Sequence, residues 1–320
     1  MCLLLPLLIV LGLILLYRWY RQSLILENIT DKYVFITGCD TGFGSLLAKM
    51  LDKRGMKVLA ACLTPQGAEK LKEETSSRLH TVIVDVSENE SVKSAAKWAA
   101  EIVGDAGLWG LVNNAGIGTG FAPNLWQTKE DFIKMLNVNF LGMVDVTQNL
   151  AHLIIKARGR IVNVSSAAGR LAMVGGGYSP SKYATQAFSD SLRRELRAFG
   201  VKVCIIEPGA YRTPIIEKDP HIKNMQKLWN DLPENIKELF GEQYYQQHVK
   251  VLMLLLNTSN PKIHHVPDCM EHALTAVHPW TRYSPGWDMK FYYLPLSYLP
   301  TAISDYILCR SSPTPAQKRE

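Results

Sequence analysis

The chain lacks any block of basic residues. Its 35 lysines and arginines, against 29 acidic residues for a net charge of +6, are scattered along all 320 positions. A nucleic-acid partner needs such charges gathered on one face, so that class is set aside. Cysteine patterning is missing too. Cys2, Cys39, Cys62, Cys204, Cys269 and Cys309 form no Cys-x-x-Cys pair and no ligand spacing. They read as small core residues or idle thiols, which excludes a disulfide framework and leaves no metal site to expect. There is no internal repeat and no low-complexity tract. Past the N-terminus no long uninterrupted apolar run occurs. Phe291 to Cys309 is rich in Leu, Tyr and Ile, but Pro295, Pro300 and Asp305 break it. That stretch suits a membrane-interface segment or a docked helix better than a span. The remainder is long enough for one large α/β domain with additions.

The exception is the start. Cys2 to Tyr17 is apolar and uncharged, and Arg18-Trp19-Tyr20-Arg21 follows at once. As a helix it reaches roughly 24 Å at about 1.5 Å per residue, close to the thin reticulum bilayer. A cleaved signal peptide would carry basic residues before the run and a small-x-small site after it, and neither is present. The expectation is an uncleaved endoplasmic-reticulum anchor over residues 1–20. Arginines on its far side would leave the catalytic domain cytosolic.

Lys32 to Thr37 is a short β-rich run, followed by Gly38-Cys39-Asp40-Thr41-Gly42-Phe43-Gly44 and then a helical pattern through Leu46, Leu47, Met50 and Leu51. Strand, glycine turn and helix together aim backbone N–H groups and a helix N-terminus at a pyrophosphate. Glycine is needed there because a Cβ would obstruct close approach. Further on, a strand over Arg160 to Ser165 leads to Ser166, a triple glycine, and Tyr178 four residues before Lys182. If Tyr178 opens a helix, the two side chains share a face. A tyrosine hydroxyl titrates near ~10 in water, and a neighbouring ammonium would favour its phenolate, making it a usable proton acceptor. Other strands are expected at 58–63, 81–84, 109–112 and 201–206, with helices over 128–156 and 266–277 and a last strand within 283–293.

The Ser165–Lys182 segment and the Gly-x-x-x-Gly-x-Gly turn resemble the short-chain dehydrogenase/reductases, and the resemblance covers nearly the whole chain. It implies a Rossmann-type doubly wound parallel sheet, one domain over residues 30–290, with a substrate cover about 214–267 and a C-terminal membrane-associated segment from 291. Residue by residue, it implies Tyr178 as proton acceptor, Ser166 polarising the substrate oxygen twelve positions earlier, and Lys182 holding Tyr178 and the nicotinamide ribose. Asn139 would hold a water beside Lys182. Gly38, Asp40, Gly42, Phe43 and Gly44 would meet the pyrophosphate, and Cys62 and Leu63 the adenosine ribose. Asp85 would meet the adenine amine, while Asn113, Ala115 and Gly116 would brace the cofactor, and Pro208, Gly209 and Thr213 would close over the nicotinamide. No arginine stands beside Cys62 to neutralise a 2′-phosphate, which favours NAD over NADP.

Within the family, Asp31–Asp40, Leu59–Thr64, Gly107–Val112, Gly175–Tyr178 and Phe188–Glu195 resemble the microsomal retinol dehydrogenases and 3α/17β-hydroxysteroid dehydrogenases. That implies a retinoid or steroid alcohol as lipophilic substrate, a membrane as partner and room for a homo-oligomer. Trp229, Phe240, Tyr244, Tyr245 and the run Val251–Leu256, with Leu254 in it, are the expected substrate wall. Ser179-Pro180, the Gly116–Phe121 loop and much of 215–265 depart from the pattern. Two rival readings stand beside this one. One is a 17β-hydroxysteroid dehydrogenase/epimerase. The other is a non-catalytic dinucleotide- or lipid-binding Rossmann scaffold, which a damaged Ser, Tyr or Lys would mark.

Overall fold

The structure, a computed structural model, describes residues 4–118, 121–310 and 312–317. After helix α1 (Leu4–Ser23), β1 (Tyr33–Thr37), α2 (Gly42–Lys53), β2 (Lys57–Cys62), α3 (Pro65–Glu73), β3 (Leu79–Ile83), α4 (Asn89–Val103) and β4 (Gly110–Asn113) alternate. Next come α5 (Lys129–Leu136), α6 (Gly142–Lys156), β5 (Arg160–Val164), α7 (Tyr178–Glu195) and β6 (Lys202–Ile206). Three helices cover the end of the sheet, α8 (Lys218–Asp231), α9 (Glu234–Phe240) and α10 (Glu242–Asn257). Then α11 (His265–Thr275) leads to β7 (Arg282–Tyr283).

The strands form one parallel sheet in the order β3-β2-β1-β4-β5-β6-β7. The central strands are buried on both faces, as their unbroken Val, Ile and Leu runs require. One core layer joins Leu47, Leu51, Val162, Met270 and Leu274 beneath α2 and α11. The other joins Phe35, Val92, Leu111, Leu150 and Leu192 beneath α4, α6 and α7. The chain winds outward from β1 to β3, then returns to place β4 on the other side of β1. That reversal opens a crevice beyond the C-terminal ends of β1 and β4.

Two expectations change. The last strand is only two residues long. Pro285 offers no N–H to a ladder and Gly286, at φ +97°, turns the chain away, so Met289–Tyr293 coil into a π turn. The helical run from 129 to 156 is likewise interrupted by a π turn at Asn137–Leu141, a bulge that often marks a functional position.

From residue 9 onward α1 holds apolar side chains in the open, among them Ile9, Leu13, Leu16 and Trp19. Among the described residues no helix is long and apolar enough to cross a membrane; residues 1–3 of the expected anchor lie outside those described. The chain leaving α1 is fastened to the domain. Leu26 N donates to Thr275 O at 2.9 Å, Val277 N to Leu24 O at 2.8 Å, and the His272 ring bonds Gln22 O at 2.8 Å.

Candidate active site

A single cleft of about 970 Å³ runs across the crevice. Its floor at one end is the β1–α2 turn, where Gly38, Asp40, Gly42 and Phe43 line the space. Gly42 adopts φ +62°, and a Cβ there would have nothing nearer than Thr213 at 3.8 Å, so the turn is bare toward the cleft. The N-terminus of α2 points its N–H groups there, and its N-cap Thr41 makes no side-chain capping bond. Unsatisfied N–H groups and the positive end of a helix dipole fit a pyrophosphate. Leu63, Asp85, Ala115 and Gly116 continue the lining, and Pro208, Gly209 and Thr213 close the far side.

Four residues expected at the cofactor or substrate stand behind this lining. Gly44 packs on its own turn, where a Cβ would fall 2.3 Å from Gly38 O. It is there for chain packing. Cys62 is fully buried under the sheet, and burial pushes its thiol up to about 12, with Asp40 adding to the rise. Asn113 is buried between strands, donating to Asn163 Oδ1 at 2.8 Å and Thr147 Oγ1 at 2.9 Å. Its neighbour Asn114, not singled out from sequence, lines the cleft and clamps the turn by donating to Thr37 O and Gly38 O. Asn139, in the π turn, accepts from Ile117 N at 2.8 Å and donates to Ile117 O and Ser181 Oγ. It therefore fastens the loop after β4 to α7. Asp85 lines the cleft but also caps its own turn, accepting from Ser87 N and Ser87 Oγ.

At the other end Ser166, Tyr178 and Lys182 line the same cleft. Tyr178 is the first residue of α7, and Pro180 fits the first turn because its missing N–H would have had no intrahelical partner. The adjacent serines are separated by direction. Ser165 is buried and donates to Lys182 O at 3.0 Å, whereas Ser166 Oγ accepts from Ala168 N at 3.1 Å and lines the cleft with Tyr178. Burial raises the Tyr178 hydroxyl above its ordinary value, and the neighbouring Ser166 side chain acts in the opposite direction. The direction is opposite to the lowering expected from a neighbouring ammonium. The Lys182 ammonium stands 5.7 Å from the ring centroid and donates to Val164 O at 3.0 Å, so it is turned toward the strand. Burial brings Lys182 down to about 8.

The wall around this end is apolar, and of the residues expected there Leu255 and Leu256 line it. Phe121 meets the Tyr178 ring edge-on at 5.5 Å, with Met173, Val174, Ile215, Leu255 and Tyr293 nearby in the lining. Trp229, Phe240 and Tyr244 instead gather around Trp126 in a third core cluster, with ring centroids 5.1 to 5.9 Å from it. Leu254 is exposed on α10, one position from the lining residue Leu255. Only the helical phase of α10, absent from composition, separates the two.

Compared with known proteins, residues 32–223 match the family model described as short chain dehydrogenase. Retinol dehydrogenase 16 of Mus musculus is 55% identical over 304 residues, covering 95% of this chain and 96% of that relative. 17-beta-hydroxysteroid dehydrogenase type 6 of Homo sapiens is 53% identical over 306 residues, 96% of each. Among solved structures, a short chain dehydrogenase/reductase from Burkholderia phymatum in complex with NAD superposes with a TM-score of 0.69. It is 21% identical and covers 92% of this chain and 100% of that one, and what it shares is the fold.

Proposed function

This chain belongs to the short-chain dehydrogenases, and on that premise we propose that it oxidises a lipophilic alcohol, a retinoid or a hydroxysteroid, using NAD. The observation that carries the reading is the convergence of Ser166, Tyr178 and Lys182 beside an apolar wall in the cleft that the β1–α2 turn also lines. The names of the relatives, retinol dehydrogenase and 17-beta-hydroxysteroid dehydrogenase, point to the same substrate classes. Burying some 200 Å² of apolar ring system contributes about 5 kcal/mol at ~25 cal/mol per Å² before binding costs, enough to dominate recognition.

When bound, the nicotinamide would supply the hydride acceptor. The chain's own residues handle the proton and the oxygen. Tyr178 Oη accepts the hydroxyl proton as the substrate carbon gives up its hydride, and Ser166 donates to the oxygen while negative charge develops there. Burial opposes the phenolate that this role needs. Lys182, a cation below about pH 8, is the nearby group whose attraction favours it. An intact Ser166, Tyr178 and Lys182 in one cleft weigh against a non-catalytic scaffold.

NAD is favoured over NADP because Leu63 and Thr64, at the end of β2, bring no cation to the cleft. The exposed apolar side chains of α1 support attachment to the reticulum membrane, and Arg18 and Arg21 just after the apolar run favour a cytosolic domain. Replacing Tyr178 by Phe removes only the proton-accepting oxygen. Turnover should fall by about 10³-fold or more, while NADH affinity stays within a few-fold by fluorescence titration. A Phe variant that keeps a tenth or more of wild-type turnover would refute the mechanism.

A further inference from the structure

The first turn of α3 adjoins the cofactor end of the cleft. Helix N-termini leave N–H groups unpaired and carry a partial positive charge, so this turn is suited to an anion. In this chain Asp40, from the β1–α2 turn, already takes the position. Its Oδ2 accepts from Leu63 N at 2.7 Å, and its Oδ1 accepts from Thr64 N at 2.9 Å and Thr64 Oγ1 at 2.7 Å. Thr64 Oγ1 in turn accepts from Gly67 N at 3.0 Å, capping the helix. Gly67 leaves the room: a Cβ on it would lie 2.4 Å from Asp40 Oδ1. Asp40, Leu63 and Thr64 all line the cleft.

We infer that Asp40 is the residue that selects NAD, by filling with the chain's own carboxylate the anion site that a 2′-phosphate would require. The inference rests on the NAD reading given above. A 2′-phosphate would have to compete for the donors that Asp40 holds and would meet a fixed negative charge, a like-charge juxtaposition that disfavours binding. Among the described residues, no cation lines the cleft at that point. The lysines of the cleft lining are Lys134 on α5 and Lys182 on α7. A ribose hydroxyl is treated differently. A carboxylate offers about four lone-pair directions, and three are taken by Leu63 and Thr64. The free one can accept from a hydroxyl. The β1–α2 turn thus supplies the carboxylate from the facing side, while position 62 at the end of β2 is a cysteine.

The test is binding. Dissociation constants for NADH and NADPH are measured by fluorescence titration on the full-length protein in detergent, for wild type, Asp40→Asn and Asp40→Ser. The wild type should hold NADH more tightly, and the ratio of the two constants should shift toward NADPH by about tenfold or more in either variant, as expected for removing one charged contact. If Asp40 only pins the α3 turn, both cofactors weaken alike and the ratio stands; that result overturns the inference and leaves the NAD reading intact. A wild type that binds NADPH as tightly as NADH overturns the NAD reading itself. Should both variants lose NADH binding altogether, the wild-type salt dependence decides. Raising salt must improve NADPH binding relative to NADH, because screening weakens like-charge repulsion, and an unchanged ratio overturns the inference.

Discussion

At the scale of single residues the cleft sets a burial cost against a chemical need. Lys182 is buried with one backbone acceptor, Val164 O, and is brought down to about 8. The sign of the consequence follows from proton counting. From about pH 8 up to the ordinary lysine value of ~10.4, the unfolded chain binds the proton and the native one does not, so stability rises with pH across that window. Below about pH 8 both states are protonated and the full cost remains. Tyr178 acts oppositely, but only above ~10, where the unfolded tyrosine ionises first. Comparing urea unfolding of wild type and Lys182→Met near pH 7.5 and near pH 9.5, the wild type should gain on the order of 1–2 kcal/mol relative to the variant. Parallel profiles would show that Lys182 is not held neutral by burial. Residue identities here were legible in the sequence, since Tyr-x-x-x-Lys after a strand and a serine pair leaves few alternatives. The tyrosine's protonation balance was not, because spacing carries no information about desolvation.

At the scale of elements, the β1–α2 turn and the α7 entry follow from local chemistry: glycines where N–H groups must approach an anion, and a proline only where the helix does not need its N–H. The α8–α10 cover is harder to read. Its aromatics were visible in the sequence, but whether they face the cleft or Trp126 depends on how three short helices pack, and they face Trp126. The π turn at Asn139 also leaves no sequence signature, as it changes hydrogen-bond register without changing residue type. Helix α1 and the aromatics Trp287, Phe291, Tyr298 and Tyr306 are among the exposed apolar groups. The membrane proposal therefore belongs to them. The protein should resist high-salt washing and be released by detergent, and removing residues 1–17 should free much of it into the supernatant. Release of the intact chain by salt alone would contradict attachment through apolar surface.

At the scale of the whole molecule, the strand order decides where chemistry occurs. The reversal between β1 and β4 brings two sequence-distant segments, 38–43 and 166–182, to one cleft. A parallel α/β sheet with this crevice was readable from strand spacing and the glycine turn. The two-residue last strand was not, because the helix-forming pull of Met289–Tyr293 appears only once Gly286 has turned the chain. The same cleft joins a polar cofactor end to an apolar substrate end, and the substrate proposal depends on that asymmetry. Apolar pockets discriminate weakly among similar shapes, a methylene being worth ~1–3 kcal/mol, so retinoid and steroid activities should overlap. The direct measurement is catalytic efficiency of the full-length protein in vesicles with NAD, on retinol, a 3α-hydroxysteroid, a 17β-hydroxysteroid and small polar alcohols. The account predicts that at least one retinoid or steroid exceeds every small polar alcohol by about a hundredfold or more; equal or better turnover of the small polar alcohols would contradict it.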